Sequence, residues 1–194
     1  MALSKPPAAE TWAPISRVEA VVIYAYTTGM PQTKLGPFVV EFTNSEEFHR
    51  LKTEIFTHDC YYVELPSAIP LIIDAGAHIG LTTLYFKKAY PGAQILAIEP
   101  HPDTFSLLEK NIYNNNLDGV ELLNTALSTS DELVTLHEDT SADKWFSTAS
   151  LQAKAWNGQQ QTQPLTVPSL KLNTLLADID DTVELLKLDI EGAE

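Results

Sequence analysis

The sequence predicts an α/β fold built on a parallel sheet, and three observations carry that expectation. Short, nearly all-apolar runs such as "LIIDAG" (71–76) end in an acid and a glycine, as parallel strands covered on both faces do. Segments with helical spacing lie between them, "GLTTLYFKKAYPG" (80–92) and "HPDTFSLLEKNIYNNNL" (101–117). Strand and helix then alternate at lengths that suit crossover connections in one sheet.

Taken in order, residues 1–16 are Pro- and Ala-rich without periodicity and are expected to be loose. Residues 17–66 read as an N-terminal extension made of a hairpin and a helix. "VEAVVIYAY" (18–26) and "FVVEFT" (38–43) are β-branched and aromatic strand candidates, joined through the turn residues of "TTGMPQTKLGP" (27–37). "NSEEFHRLKTEIF" (44–56) puts Phe48, Leu51 and Ile55 on one side of a helix. Asn44 or Ser45 serves as its N-cap, and Glu46 and Glu47 suit the positive end of the dipole. "CYYVEL" (60–65) is expected as a short strand before Pro66 and Pro70.

The sheet domain then spans residues 67–194. "LIIDAG" is its first strand, closed after the following helix by Pro91 and Gly92. "AQILAIEP" (93–100) is the second strand, and the next helix carries Pro102 near its start. "VELLNTALS" (120–128) is read as one third strand. The rhythm breaks over 129–168, where "ELVTLHE" (132–138) and "STASLQA" (147–153) are strand candidates and "NGQQQTQ" (157–163) a polar loop. "PLTVPSLKLNTLLADI" (164–179) supplies a strand and a short helix, and "TVELLKLDI" (182–190) is the fourth sheet strand.

Composition narrows the function classes. The chain of 194 residues is 44% hydrophobic and 20% charged, enough for one domain with a real core. Its net charge of -14, from 26 acids against 12 Lys and Arg, argues against a nucleic-acid or anionic-membrane partner, since both need a basic face. A cationic or zwitterionic ligand remains compatible. A single cysteine, Cys60, allows no disulfide framework within the chain. The N-terminus lacks an apolar signal core, and no run approaches the ~18 apolar residues of a membrane span. A cytoplasmic protein is expected.

The chemistry is concentrated in "IIDAGAHIGLTTLYF" (72–86). A buried strand reaches Asp74, turns on Gly76 and opens a helix near Gly80, so that backbone approaches a ligand closely. A dinucleotide site would want Gly-x-Gly-x-x-Gly, but here Ala77-His78-Ile79 separates two glycines and an acid precedes them. That acid would repel a pyrophosphate; it suits the ammonium and sulfonium of S-adenosylmethionine. Glu99, at the tip of the neighbouring strand, is placed to accept hydrogen bonds from ribose hydroxyls. The plainer alternative is an α/β domain whose glycine turn only packs tightly.

Other residues carry less. His49, His58, His101 and His137 have no ligand-like spacing for zinc. His101 either packs near the adenine or simply starts its helix. Trp145 and Trp156 either belong to a satellite core or line an acceptor pocket.

Four blocks, "IIDAGAHIGLTTLYF", "AQILAIEPHPDTFSLLEKNI", "LLNTALS" and "LLKLDIEGAE", resemble successive blocks of the FkbM family of S-adenosylmethionine-dependent methyltransferases. The resemblance runs from about residue 56 to the last residue, in family order. It implies the Rossmann-like class I methyltransferase sheet and typically O-methylation of a hydroxyl on a small molecule such as a sugar or metabolite. On that resemblance, Asp74, Gly76, Ala77, His78 and Gly80 form the cofactor loop. Glu99 is the ribose-binding acid, followed by Pro100, and Asn124 to Leu127, Ala126 included, form the third-strand tip beside the adenine. Tyr61 and Tyr62 fall where the family often places an aromatic. Asp189, Glu191 and Gly192 match the Lys-x-Asp-x-Glu-Gly block. Two departures stand out: His78 where the loop usually carries Asn, and Asn173 after Leu172 where members often have Asp.

Methyl transfer to an alcohol is an in-line displacement that needs orientation and a base. Asp189 and Glu191 are the candidate bases, or one of them binds the cofactor's ammonium. The competing class is an inactive methyltransferase-like scaffold or a non-functional fragment. The class I sheet runs 3-2-1-4-5-7-6, and only strands 1–4 are found here. The chain is therefore expected to be C-terminally truncated, or to have its apolar fourth strand covered by a second chain, a homo-oligomer partner or the N-terminal hairpin.

Overall fold

The structure, a computed structural model, describes residues 29–139, 150–151 and 162–190. The expectations for 1–16, for the strand at 18–26, for Trp145 and Trp156, and for Glu191 and Gly192 lie outside those residues.

The hairpin exists, but its first strand is not the expected one. β1 (Gln32–Leu35) pairs antiparallel with β2 (Phe38–Glu41), Leu35 opposite Phe38. β1 thus forms inside the stretch read as a turn. Gly36, at φ +61°, opens a two-residue reversal closed by Pro37, and glycine in that position twists two strands into register. α1 (Ser45–Lys52) begins where Asn44 Oδ1 accepts the amides of Glu46 and Glu47 at 2.9 and 3.0 Å. It buries Phe48, stacked on Phe42, and widens into a π-type turn over Thr53–Thr57. The "CYYVEL" segment is not a strand. Tyr62 N donates to Asp59 O at 2.9 Å, and this turn bends the chain out of any ladder.

The sheet domain follows as β3 (Leu71–Ala75), α2 (Leu81–Ala89), β4 (Gln94–Ile98), α3 (Pro102–Asn114) and β5 (Val120–Leu123). Next come β6 (Ala126–Ser128), β7 (Leu133–Asp139), β8 (Thr162–Lys171), α4 (Leu172–Ala177) and β9 (Val183–Leu188). The four parallel strands run β5-β4-β3-β9, the 3-2-1-4 half of the expected order. Adjacent residues of β3 serve opposite faces, which is why the run is apolar throughout. Ile72 packs with Phe48, Leu84, Phe86 and Ile95, whereas Ile73 and Ala75 pack with Ile98, Leu127 and Leu175. Helices therefore cover both faces, α2 and α3 on one and α4 on the other.

The expected third strand is two strands. After Leu123 the chain leaves β4, Thr125 N bonds Leu123 O, and Ala126–Ser128 joins a second sheet of order β6-β8-β7. Gln163, read as loop, pairs with Glu138 inside β8. Among the described residues no strand pairs with the outer edge of β9, and the described hairpin docks on α3 instead. Nor is any described helix long and apolar enough to cross a membrane.

That hairpin is held by amides. Asn111 accepts the N–H of Glu41 at 2.7 Å and donates to its carbonyl at 3.0 Å, while Asn115 accepts from Val39 N and donates to Val39 O, both at 2.8 Å. Residues i and i+4 on a helix thus meet residues i and i+2 on a strand, and side-chain amides extend the ladder of β2. Asn111 also donates to Ile79 O at 2.8 Å, tying the same helix to the loop between β3 and α2.

Candidate active site

Parallel strands end at one edge, so the segments after β3, β4 and β9 meet there. Gly76 N and Ala77 N both donate to Ile98 O at 2.9 Å, and Asp189 N donates to Ala75 O at 3.1 Å. Gly76 has φ +76°, and a Cβ there would lie 1.9 Å from the carbonyl oxygen of Asp189. No other residue fits that crossing of two backbones. His78 is also left-handed, at φ +53°, and Gly80, at φ +92°, starts α2.

Glu99 is buried and clamped by main chain. Its Oε2 accepts from His78 N at 2.9 Å and its Oε1 from His101 N at 3.0 Å. Burial pushes its carboxyl up from the ordinary 4.5 to about 7, while the two amide donors oppose that rise. Asn124 secures the following turn, its Nδ2 donating to Glu99 O at 2.8 Å and to Pro100 O at 3.2 Å.

Asp74 is fully enclosed. Thr83 Oγ1 donates to its Oδ2 at 2.7 Å, and Lys187 Nζ stands 3.2 Å from its Oδ1. This contact is an ion pair, because the hydrogen bonds of Lys187 go to the carbonyls of Gly76 at 2.6 Å and Ala75 at 3.2 Å. Asp74, expected from sequence to suit a ligand ammonium, has the resident ammonium of Lys187 beside it. The exposed acid is Asp189, half open to solvent, whose Oδ2 accepts the Tyr61 hydroxyl at 3.0 Å and lies 3.9 Å from Lys187. Burial, and then the Asp189 carboxylate, push the Tyr61 phenol well up.

His78 and His101 both face acids. The His78 ring lies 3.5 Å from Glu47 Oε1 of α1, with burial pulling its pKa down, and the buried His101 ring lies 3.5 Å from Glu138 Oε2 of β7. His101 starts α3 as its N-cap, and its main-chain N–H at the same time clamps Glu99.

Asp74, Gly76, Ala77, His78, Glu99, Pro100, Asn124 and Asp189 thus belong to one hydrogen-bonded edge, with Gly80 at its exit into α2. Tyr62, 62% exposed, and Ala126, buried at the start of β6, are not drawn into it. Lys187 and Thr83 are contributors not assigned to the site from sequence, and of the two tyrosines matched to the family's aromatic it is Tyr61 that reaches the edge. A lysine interrupting the apolar run "LLKLDI" was the available signal for the first.

The Methyltransferase FkbM domain model matches residues 74–194. "Methyltransferase 1" of Beauveria bassiana (strain ARSEF 2860) is 32% identical over 164 residues, covering 76% of this chain and 65% of the relative. "Methyltransferase sdnD" of Sordaria araneosa is 47% identical over 78 residues, 40% of this chain and 30% of the relative. The chain thus spans less than two thirds of the length of either. Among solved structures, M. jannaschii TYW2 in complex with AdoMet is 18% identical with a TM-score of 0.37, over 52% of this chain and 48% of that one. The fold rests on the strand order itself rather than on that likeness. The matched span opens at Asp74 and takes in the loop, the Glu99 clamp and the end of β9, and on that match the chain belongs to the FkbM methyltransferase domain family.

Proposed function

We propose that this chain holds the cofactor of an S-adenosylmethionine-dependent O-methyltransferase that acts on a hydroxyl of a sugar or small metabolite. One observation supports it above the others: a half-exposed carboxylate, Asp189, shares a hydrogen-bonded edge with the Gly76 loop and the Glu99 clamp. The residues fit the cofactor. Each Glu99 oxygen accepts one amide, and a carboxylate has further lone pairs for two ribose hydroxyls.

In this reading Glu99 holds the ribose, and Lys187 fixes the Gly76 loop against β9. The bound cofactor supplies an electrophilic methyl on a sulfonium. Asp189 receives the proton of the acceptor hydroxyl as its oxygen attacks, a role for which geometry at the sheet edge matters more than strength as a base. Glu191 is proposed alongside it from the family block. The exposed single cysteine, Cys60, agrees with a cytoplasmic setting.

Release of S-adenosylhomocysteine, measured over a panel of hydroxylated acceptors, tests the reaction class. O-methyl product that falls at least about 100-fold with Asp189→Asn is expected, the lower range for loss of a general base. Product formed only on nitrogen, or formed equally well by Asp189→Asn, would sink this assignment.

A further inference from the structure

Residues 59–65 form a strap with no regular structure, yet three tyrosines fasten it. Tyr85 Oη donates to Asp59 Oδ1 at 3.1 Å. Tyr90 Oη accepts from Leu65 N at 3.1 Å and donates to the Val63 carbonyl. The turn from Asp59 to Tyr62 then directs Tyr61, not Tyr62, toward the end of β9. Asp59, at φ +51°, takes a left-handed conformation that short polar side chains tolerate, and this sharpens the turn.

At its destination Tyr61 meets two groups of the candidate site. Its hydroxyl donates to Asp189 Oδ2, and Lys187 Nζ sits 5.6 Å from its ring centroid. Asp189 is otherwise held by its own N–H on Ala75 O and by the longer ion pair of its Oδ2 with Lys187 at 3.9 Å. The Tyr61 hydroxyl, at 3.0 Å, is the nearer and the directional partner of that oxygen. We infer that Tyr61 is a positioning residue for the reaction: delivered by the strap, it aims Asp189 at the acceptor and keeps one of its oxygens occupied so that the other takes the proton. The role rests on the methyltransferase reading above and assigns the segment before the sheet a part in the acceptor side of the site.

The charged or titratable groups that face Asp189 are Lys187 on its own strand, Tyr61 and Cys60 from the strap, and His78 from the loop. In Tyr61→Phe, which keeps the ring over Lys187, kcat over the acceptor panel is expected to fall by up to about 100-fold with the affinity for S-adenosylmethionine unchanged, as misplacement of a reacting group does. An unchanged kcat in a folded variant overturns the inference.

Should Tyr61→Phe fail to fold, the reciprocal measurement decides. In Asp189→Asn, ultraviolet titration of Tyr61 is expected to show the phenol ionising at lower pH than in the wild type, and no change again overturns it. Calorimetry with S-adenosylmethionine on the wild type reports separately on the reading beneath: absence of binding removes the methyl-transfer role, while the titration still decides the coupling of Tyr61 to Asp189.

Discussion

Glu99 joins burial and a carboxylate at one residue, and pH separates the two. Its folded-state value of about 7 lies above the ordinary 4.5, so the fold favours the neutral form. The stability this contributes is full below pH 4.5 and is lost as pH rises through 7, on the order of 3 kcal/mol in all. Thermal melts of Glu99→Gln should therefore fall less than the wild type across that window. Ribose hydroxyls donating to the carboxylate would favour its ionised form, so cofactor binding should tighten as pH rises toward 7 and release a proton. Calorimetry in buffers of different ionisation enthalpy would detect that proton. Lys187 supplies a second residue-scale test. Lys187→Met would leave Asp74 enclosed and unpaired, at a cost of about 3–5 kcal/mol in urea denaturation. The double variant with Asp74→Asn should recover much of that. Asp74 also marks a limit of the sequence: an acid before a glycine loop was legible as part of the site, but the cation facing it comes from a strand more than a hundred positions away.

Elements differed in how plainly they could be read. β3, α2, β4 and α3 carry apolar runs or periodic faces that bury where the pattern says they should, Ile72, Ile73, Leu84 and Leu108 among them, whereas in β9 the apolar residues stay half-buried or exposed and Lys187 is the buried one. β1 escaped because a short hairpin strand buries only Leu35, leaving a polar run that resembles a turn. β5 and β6 were merged because the break at Asn124 is made by side-chain bonds to Glu99 and Pro100, which leave no mark on hydropathy. The amides of α3 were missed for the same reason. Asn111→Ala should cost about 1–3 kcal/mol, since it strands the amide of Glu41 and the carbonyl of Ile79. Protection of the hairpin amides from hydrogen exchange should fall with it. Gly76→Ala attacks a different junction. Its methyl would meet the Asp189 carbonyl where β3 and β9 finish, so the two strand ends must part and cofactor binding should be lost along with several degrees of melting temperature.

At the scale of the molecule, two properties were legible and one was not. The βαβ rhythm indicated a parallel α/β sheet and the resemblance to the methyltransferase family indicated its order, with which the strand order β5-β4-β3-β9 agrees. The placement of the N-terminal extension was not legible, because it depends on Asn111, Asn115, His78 and Tyr61 reaching across from unrelated segments. β9, with no strand on its outer side among the described residues and with Leu188 42% exposed, should draw this chain into association. Light scattering after size exclusion should then give a mass above 21.4 kDa. Everything proposed about chemistry, however, depends on one ligand meeting one edge of the sheet. Isothermal titration of the chain with S-adenosylmethionine measures that meeting. Saturable one-to-one binding, weakened by Glu99→Gln, is the expected result; no heat of binding to the folded wild type, or binding indifferent to Glu99, would contradict it.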